Sequence, residues 1–95
     1  MPKKQKKQLV HAEGDICFWV NDGRVLKNLN ELCDALMNMS DETFAYHVND
    51  EKNDFAKWVD EVLNDPELAK KLKKCKNPSS MLKTVGMHLK KNYEL

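Results

Sequence analysis

Residues 43–63 read TFAYHVNDEKNDFAKWVDEVL, and they predict two amphipathic helices joined by a short polar loop. The second half carries one apolar stripe with the 3.6-residue period of a helix, formed by Phe55, Trp58, Val59, Val62 and Leu63. The loop at residues 49–53 contains no apolar side chain. This stretch therefore predicts how a small helical core is built, and by itself it indicates no reaction.

Two short strands are predicted before the helices. Residues 16–20, ICFWV, are rich in β-branched and aromatic side chains, and residues 24–26 follow Asp22-Gly23, a pair that favours a tight primed turn. Cap residues and helix breakers predict five helices, beginning after Asn28, after Ser40, after Asn53 or Asp54, at Pro66 and near Ser80. The predicted fold class is mainly α (α+β), with a short N-terminal β-hairpin followed by about five short packed helices.

Charge divides the chain into three segments. Residues 1–12 carry +4, residues 13–67 carry −10 and residues 68–95 carry +7, within a net charge of +1. Residues 1–12 are predicted to be a basic flexible tail, and residues 13–95 a single small globular domain. The asymmetry has two interpretations: electrostatic attraction to a partner, or basic helices that lie beside the acidic middle and neutralise it.

Two groups of lysines are candidates for contact with phosphate. One consists of Lys3, Lys4, Lys6 and Lys7, and the other of Lys70, Lys71, Lys73 and Lys74. Lysine binds phosphate as a point charge, whereas arginine is the side chain that usually reads guanine edges. Arg24 is the only arginine in the sequence, so any nucleic-acid binding is expected to be weak and independent of base sequence.

His47 is the strongest candidate for catalysis. It shares a predicted helix face with Phe44 and Val48, and Asp54 follows seven residues later. An Asp–His pair orients an imidazole for acid–base chemistry, but the sequence has no GxSxG, P-loop or HExxH motif, and a structural role is favoured. A pocket formed by His47, Asp54, Phe55 and Trp58 is predicted, with no catalytic residue assigned.

Neither a metal nor a cofactor is predicted. The spacing of Cys17, Cys33 and Cys75 contains no CxxC pair, and the acidic loop near Asp50 lacks the central glycine of a calcium loop. The three cysteines are expected to be reduced thiols, which indicates a cytoplasmic protein. No apolar run approaches ~18 residues, so no membrane span is expected.

The pattern across residues 16–75 resembles a small, uncharacterised domain family found mainly in archaea and some bacteria. The resemblance is carried by an F-x-x-H-V … N-D-F-x-x-W signature and by flanking features, namely Asp22-Gly23, Leu29, Leu32, Leu36, Phe44, His47, Asn53-Asp54-Phe55, Trp58 and Leu68-Ala69. It agrees with the predicted fold and supplies no activity. The family occurs alone or attached to other modules, which implies an interaction domain.

These observations together favour a non-catalytic intracellular module that binds a protein partner of unknown identity. Phe18 and Trp19 are neighbours on a predicted strand and point to opposite faces, so one of them is expected to face outward as a contact surface. One alternative is a small nucleic-acid- or ribosome-associated protein that binds the phosphate backbone through its lysine-rich ends. A weaker alternative is an enzyme that uses His47 and Asp54.

Overall fold

The computed structural model describes residues 7–94, with side chains described for residues 9–93. A two-stranded antiparallel hairpin precedes five helices, as the sequence predicts. A 3₁₀ turn at Gly14–Ile16 leads into the hairpin. The strands are β1 (Lys7–Gln8), β2 (Phe18–Trp19), β3 (Val25–Leu26) and β4 (Tyr93–Glu94), and the helices are α1 (Leu29–Asn38), α2 (Asp41–His47), α3 (Asp54–Glu61), α4 (Pro66–Leu72) and α5 (Pro78–Asn92).

Every helix begins at a side-chain cap. In each case a short polar side chain accepts a hydrogen bond from the backbone N–H three residues later, and the caps are Asn28, Ser40, Asn53, Asp65 and Asn77. Such a cap satisfies one of the N–H groups that the first helical turn leaves without a partner. The starts of the first four helices agree with the prediction, and Asn53, one of the two residues offered, is the cap of α3. Helix α5 begins at Pro78, earlier than the predicted start near Ser80.

The hairpin turn differs from the predicted primed turn. The carbonyl of Val20 accepts from the N–H of Gly23, and the N–H of Val20 donates to the carbonyl of Arg24 at 2.8 Å. Gly23 has a φ of 101°, whereas Asp22 is not among the residues with positive φ. A three-residue loop that ends on a left-handed glycine replaces the two-residue loop, because the Asp22 side chain accepts the Arg24 N–H and stabilises the turn in this form.

Residues 7–12 of the predicted tail make contacts with the rest of the chain. Lys7–Gln8 pairs in parallel with Tyr93–Glu94, which brings the two ends of the described chain together. Ala12 is buried, and its N–H donates to the carbonyl of Lys27 at 2.7 Å. Residues 1–6 of the predicted tail lie outside the described residues. A two-residue parallel pairing between such distant residues leaves no periodic signal in the sequence.

The core lies between two helix pairs, since α1 packs against α5 and α3 packs against α4. Its largest fully buried side chains include Phe55, Leu29, Leu32, Leu68, Leu72 and Met81. Phe18 closes one end of this core, stacked on Phe55 with ring centroids 4.7 Å apart. Cys17, Cys33 and Cys75 are free thiols. Within residues 7–94, no helix has the length and apolar character required to cross a membrane.

Candidate functional site

The predicted pocket residues meet beneath the hairpin. His47 Nδ1 lies 3.0 Å from Asp54 Oδ2, and the His47 ring centroid is 5.3 Å from that of Phe55. Phe18 joins them, because its ring lies 5.0 Å from His47 and 5.6 Å from Trp58. The structure therefore brings the four predicted residues together around one hairpin side chain.

Hydrogen bonds assign the tautomer of His47. The backbone N–H of Asn21, in the hairpin turn, donates to His47 Nε2 at 3.0 Å, so Nε2 carries the lone pair and Nδ1 carries the proton. Nδ1 donates that proton to Asp54. Both ring nitrogens are occupied and the side chain is buried, so the arrangement ties the hairpin to the start of α3. A general base needs a lone pair that faces substrate, and the Nε2 lone pair faces the Asn21 N–H instead.

Asp54 connects this cluster to solvent. Its side chain is 31% exposed, and its Oδ2 also lies 3.2 Å from the ammonium of Lys52. The same Lys52 ammonium sits 5.1 Å from the centre of the Tyr46 ring, which is within the range of a cation–π contact. One end of the His47–Asp54 pair is therefore buried, and the other belongs to an exposed polar surface.

Trp58 and Trp19 have opposite environments. Trp58 is buried, and its indole N–H donates to the carbonyl of Ile16 at 2.8 Å, so it anchors the segment before the hairpin. Phe18 is 7% exposed, whereas Trp19 is 65% exposed. The prediction that one of these two neighbours faces outward is confirmed, and the outward residue is Trp19. Trp58 is part of the core.

The outer face of the hairpin is apolar. Trp19 and Val25 are directly opposite in the antiparallel register, so their side chains lie on the same face, and Ile16 is exposed just before β2. A shallow groove of about 330 Å³ lies beside Val25, between β3 and α1. Its charged lining residues are Arg24, Glu31 and Asp34. This surface, formed by Trp19, Val25 and the adjoining groove, is called the hairpin face below.

The predicted phosphate-contact lysines do not share one surface. Lys3, Lys4 and Lys6 lie outside the described residues, and Lys7 is placed only through its backbone in β1. Lys70, Lys71, Lys73 and Lys74 are all exposed, but they follow the turn of α4 and point in different directions. Lys71 and Lys74 line a cavity shared with α5, whereas Lys73 lines a groove on another side.

That second groove brings opposite charges together. Its acidic side chains include Asp50, Glu51, Asp60 and Glu61, and Lys73 and Lys76 face them from the end of α4. Part of the basic C-terminal segment therefore lies beside the acidic middle of the chain. This placement agrees with the self-neutralising interpretation of the charge asymmetry for these two lysines.

The structure contains a second Asp–His cluster, which was not predicted from the sequence. Asp65 is fully buried, and its Oδ2 lies 2.9 Å from His88 Nε2 and 2.5 Å from the hydroxyl of Tyr93. Its Oδ1 accepts the N–H of Leu68 as the cap of α4. His88 Nδ1 faces Asn92 at 3.0 Å and the ammonium of Lys71 at 3.4 Å. One carboxylate thus links the start of α4, the end of α5 and β4.

The hydrogen bonds decide the ionisation of this cluster. Burial alone raises the pKa of Asp65, but donors from Tyr93, the Leu68 N–H and His88 outweigh burial and hold the pKa below its usual value. Burial and the Asp65 carboxylate raise the pKa of Tyr93. Asp65 is therefore a buried carboxylate anion that accepts hydrogen bonds from Tyr93, from the Leu68 N–H and from His88. The only sign of this cluster in the sequence is the helix start at Asp65-Pro66.

Metal binding has no support from the arrangement of ligands. Among residues 7–94, no group of three or more His, Cys, Asp or Glu side chains is placed to hold a metal ion. Both Asp–His pairs lack the third ligand that a metal centre requires.

Comparisons with protein-family models, with curated proteins and with solved structures gave no match to this chain. The resemblance of residues 16–75 to an uncharacterised domain family therefore stays a prediction. Any function must be argued from the geometry of the molecule itself.

Proposed function

We propose that this protein is a non-catalytic interaction module that docks a protein partner on its hairpin face, with Trp19 as the central anchor. The observation that carries the proposal is the exposure of Trp19, at 65%, on a strand whose neighbouring side chain is buried. Exposed tryptophan is enriched among residues that dominate binding energy at protein interfaces. Its partner across the hairpin, Val25, extends the apolar area.

The support behind the hairpin favours binding without rearrangement. Phe18 stacks on Phe55, and the Asn21 N–H is held by His47 Nε2. A two-stranded ribbon is marginal by itself, so these contacts hold the strands in place before any partner arrives. A preorganised surface loses less conformational entropy on binding.

Charge defines the chemistry of the partner. Glu31 and Asp34 line the groove beside Val25, and the Arg24 guanidinium lies 3.7 Å from Asp22 within the hairpin itself. The whole segment 13–67 has a charge of −10. A peptide segment that places an apolar side chain on Trp19 and a lysine or arginine in the groove is complementary to this surface.

A peptide-display selection tests the proposal. Random peptides are selected on the immobilised full chain, and the affinities of the enriched peptides are measured by fluorescence anisotropy. We expect peptides with an apolar residue next to basic residues, and a loss of about tenfold or more in affinity for Trp19→Ala. Met37→Ala is the matched control, because Met37 is equally exposed, at 66%, but lies on α1.

A second pair of variants tests the charge argument. Asp34→Asn should weaken the selected peptides, whereas Asp60→Asn, which removes the same charge from the other groove, should have little effect. Enriched peptides that bind Trp19→Ala as well as the natural chain, or that are acidic, would overturn the proposal. The hairpin face could instead be occupied by a second copy of this chain. Sedimentation of the natural chain and of Trp19→Ala tests this, because such a dimer would be lost in the variant.

The two alternatives have less support from the geometry. Backbone binding of nucleic acid needs lysines that act together, and Lys73 lies opposite acidic side chains instead. Anisotropy titrations of a labelled RNA and a labelled duplex, at low and physiological salt, distinguish nucleic-acid binding from peptide binding. Tight binding of either nucleic acid at physiological salt would favour the nucleic-acid alternative. An enzyme based on His47 and Asp54 has no accessible imidazole lone pair. The free thiols support a reducing, cytoplasmic location as part of the proposal.

A further inference from the structure

A cavity of about 450 Å³ lies between α4 and α5, on a different surface from the hairpin face. Volumes in this range are typical of sites for small molecules. Its lining combines three lysines with hydroxyl, thiol, imidazole and thioether groups, contributed by Lys71, Lys74, Cys75, Ser80, Thr84, Met87, His88 and Lys91.

The charged groups of this cavity all have the same sign. Lys71, Lys74 and Lys91 line it, and none of its lining side chains is a carboxylate. Glu67 does not line the cavity, but its carboxylate lies 3.6 Å from the Lys71 ammonium and 3.8 Å from His88 Nδ1, so it offsets part of the charge of Lys71. Three ammonium groups around one concave surface repel one another and attract a compact anion.

The floor of the cavity is held in a fixed arrangement. His88 is buried, its Nε2–H is bound to Asp65, and its Nδ1 lies 3.4 Å from the Lys71 ammonium. The Thr84 hydroxyl donates to the carbonyl of Ser80 at 2.9 Å and lies 3.5 Å from the Cys75 sulfur. The thiol and the threonine hydroxyl are thus engaged inside the protein, and Lys71 is shared with His88 and Glu67, so Lys74 and Lys91 are the principal anion donors.

The donor type selects among anions. Lysine offers a compact charge with rotatable N–H groups, whereas the planar fork that pairs with a carboxylate belongs to arginine, which this cavity lacks. A phosphate monoester carries close to two negative charges at neutral pH and three acceptor oxygens. The Met87 side chain, 63% exposed at the rim, offers an apolar contact for the organic part of such a ligand.

From this combination we infer that the cavity between α4 and α5 binds a small phosphate monoester, with the phosphate among Lys71, Lys74 and Lys91 and a short apolar group against Met87. The site is independent of the hairpin face. Its ligand is a small molecule, because the cavity lies between two helices and only three lysines of the described residues line it.

The experiment is a titration of the full chain with phenyl phosphate. Binding is measured by calorimetry and by the shifts of the backbone amides in ¹⁵N NMR spectra. We expect saturable binding in the millimolar range or tighter, with shifts centred on residues 71–75 and 84–91. Inorganic phosphate should bind more weakly because it lacks the apolar group, and phenol should not bind because it lacks the charge. Trp19→Ala should leave all of these results unchanged, which separates this site from the proposed function.

Matched lysine variants locate the site. Lys74→Gln and Lys91→Gln should each weaken phenyl phosphate by about tenfold, the value of one lost charge-assisted hydrogen bond. Lys73→Gln and Lys90→Gln remove the same charge from neighbouring exposed positions that do not line this cavity, and they should have little effect. Equal losses in all four variants, shifts that never saturate, or binding of an oligonucleotide in preference to phenyl phosphate would each overturn the inference.

Discussion

Two Asp–His pairs hold this small domain together, and they differ in burial and in the number of residues that separate their members. His47 and Asp54 are seven residues apart, and Asp54 is 31% exposed and shared with Lys52. Asp65 and His88 are 23 residues apart, and the Asp65 side chain is fully buried. The first pair fastens the hairpin to α3, whereas the second joins α4, α5 and the C-terminal strand.

The comparison predicts that two similar side-chain pairs contribute different amounts to the stability of the fold. Water can replace a lost partner at Asp54, because that carboxylate reaches the surface. At Asp65 no water-exposed side chain surface exists, so a lost partner leaves buried donors unsatisfied. The burial of the carboxylate, and not the types of the two residues, should therefore decide how much stability is lost when a pair is disrupted.

The largest expected effect comes from Asp65→Ala. This change removes the cap of α4 and the acceptor for both His88 and Tyr93, and it should lower the free energy of unfolding by about 3–5 kcal/mol. The matched change Asp54→Ala should cost about 1 kcal/mol or less. Urea denaturation of both variants measures the difference, and equal losses would contradict the ranking by depth.

A smaller effect is expected from His47→Gln, at about 1–3 kcal/mol, because the Asn21 N–H loses its acceptor and the aromatic cluster loses a ring. Thermal unfolding measures the loss, and His88→Gln is the comparison that should cost more. Because His47 also holds the hairpin in place, the folded variant should bind the selected peptides more weakly than the natural chain. A variant of natural stability that lost turnover of an identified substrate would favour catalysis instead.

The pH dependence of stability should reflect Asp65. Its pKa in the folded protein lies below the value of about 3.8 that applies to the unfolded chain, so its contribution is complete above that pH and is lost as the pH falls through the folded pKa. Tyr93, whose pKa is raised, acts in the opposite direction: its contribution is complete below about pH 10 and is lost as the solution becomes more alkaline.

Tyr93→Phe separates these two effects. It removes a donor that lowers the pKa of Asp65, so the loss of stability in acid should become shallower, and the alkaline loss should disappear. Urea midpoints measured across the pH range provide the test. An alkaline loss of the same size in Tyr93→Phe would assign it to other groups.

The smallest predicted effect is a gain. Gly86 lies in α5, two residues before His88, and a Cβ built at this position meets no atom within 4 Å. Gly86→Ala should therefore stabilise the protein by about 0.5–1 kcal/mol through helix propensity alone. Since it leaves the contacts of His88 unchanged, it should add to the effect of Asp65→Ala, and a double-mutant cycle measures this additivity.

Local patterns account for the parts of the fold that were predicted. Asn28, Ser40, Asn53 and Pro66 mark helix starts because capping and the restricted φ of proline act within a few residues. The His47–Asp54 pair could also be predicted from the sequence, because the short polar loop limits where residue 54 can lie. The turn at Gly23 was predicted in the wrong form, since one side-chain hydrogen bond from Asp22 distinguishes the two geometries.

Long-range placement accounts for what was missed. Nothing in the spacing of Asp65, His88 and Tyr93 indicates that they meet, because 23 and 28 residues of chain separate them. The parallel pairing of β1 with β4 spans nearly the whole chain. The lysines after Leu68 look like one basic cluster in the sequence, but the helical turn sends Lys71 and Lys74 to one side and Lys73 to another.

The sequence alone determined that this chain forms a hairpin and five capped helices with an aromatic core, because caps, turns and apolar periodicity act over short distances. Only the tertiary structure decided which of Phe18 and Trp19 is buried, which carboxylate is desolvated and which lysines share a cavity. Those properties depend on the packing of one helix against another, and the free energy of burying a polar group is set by its neighbours in space.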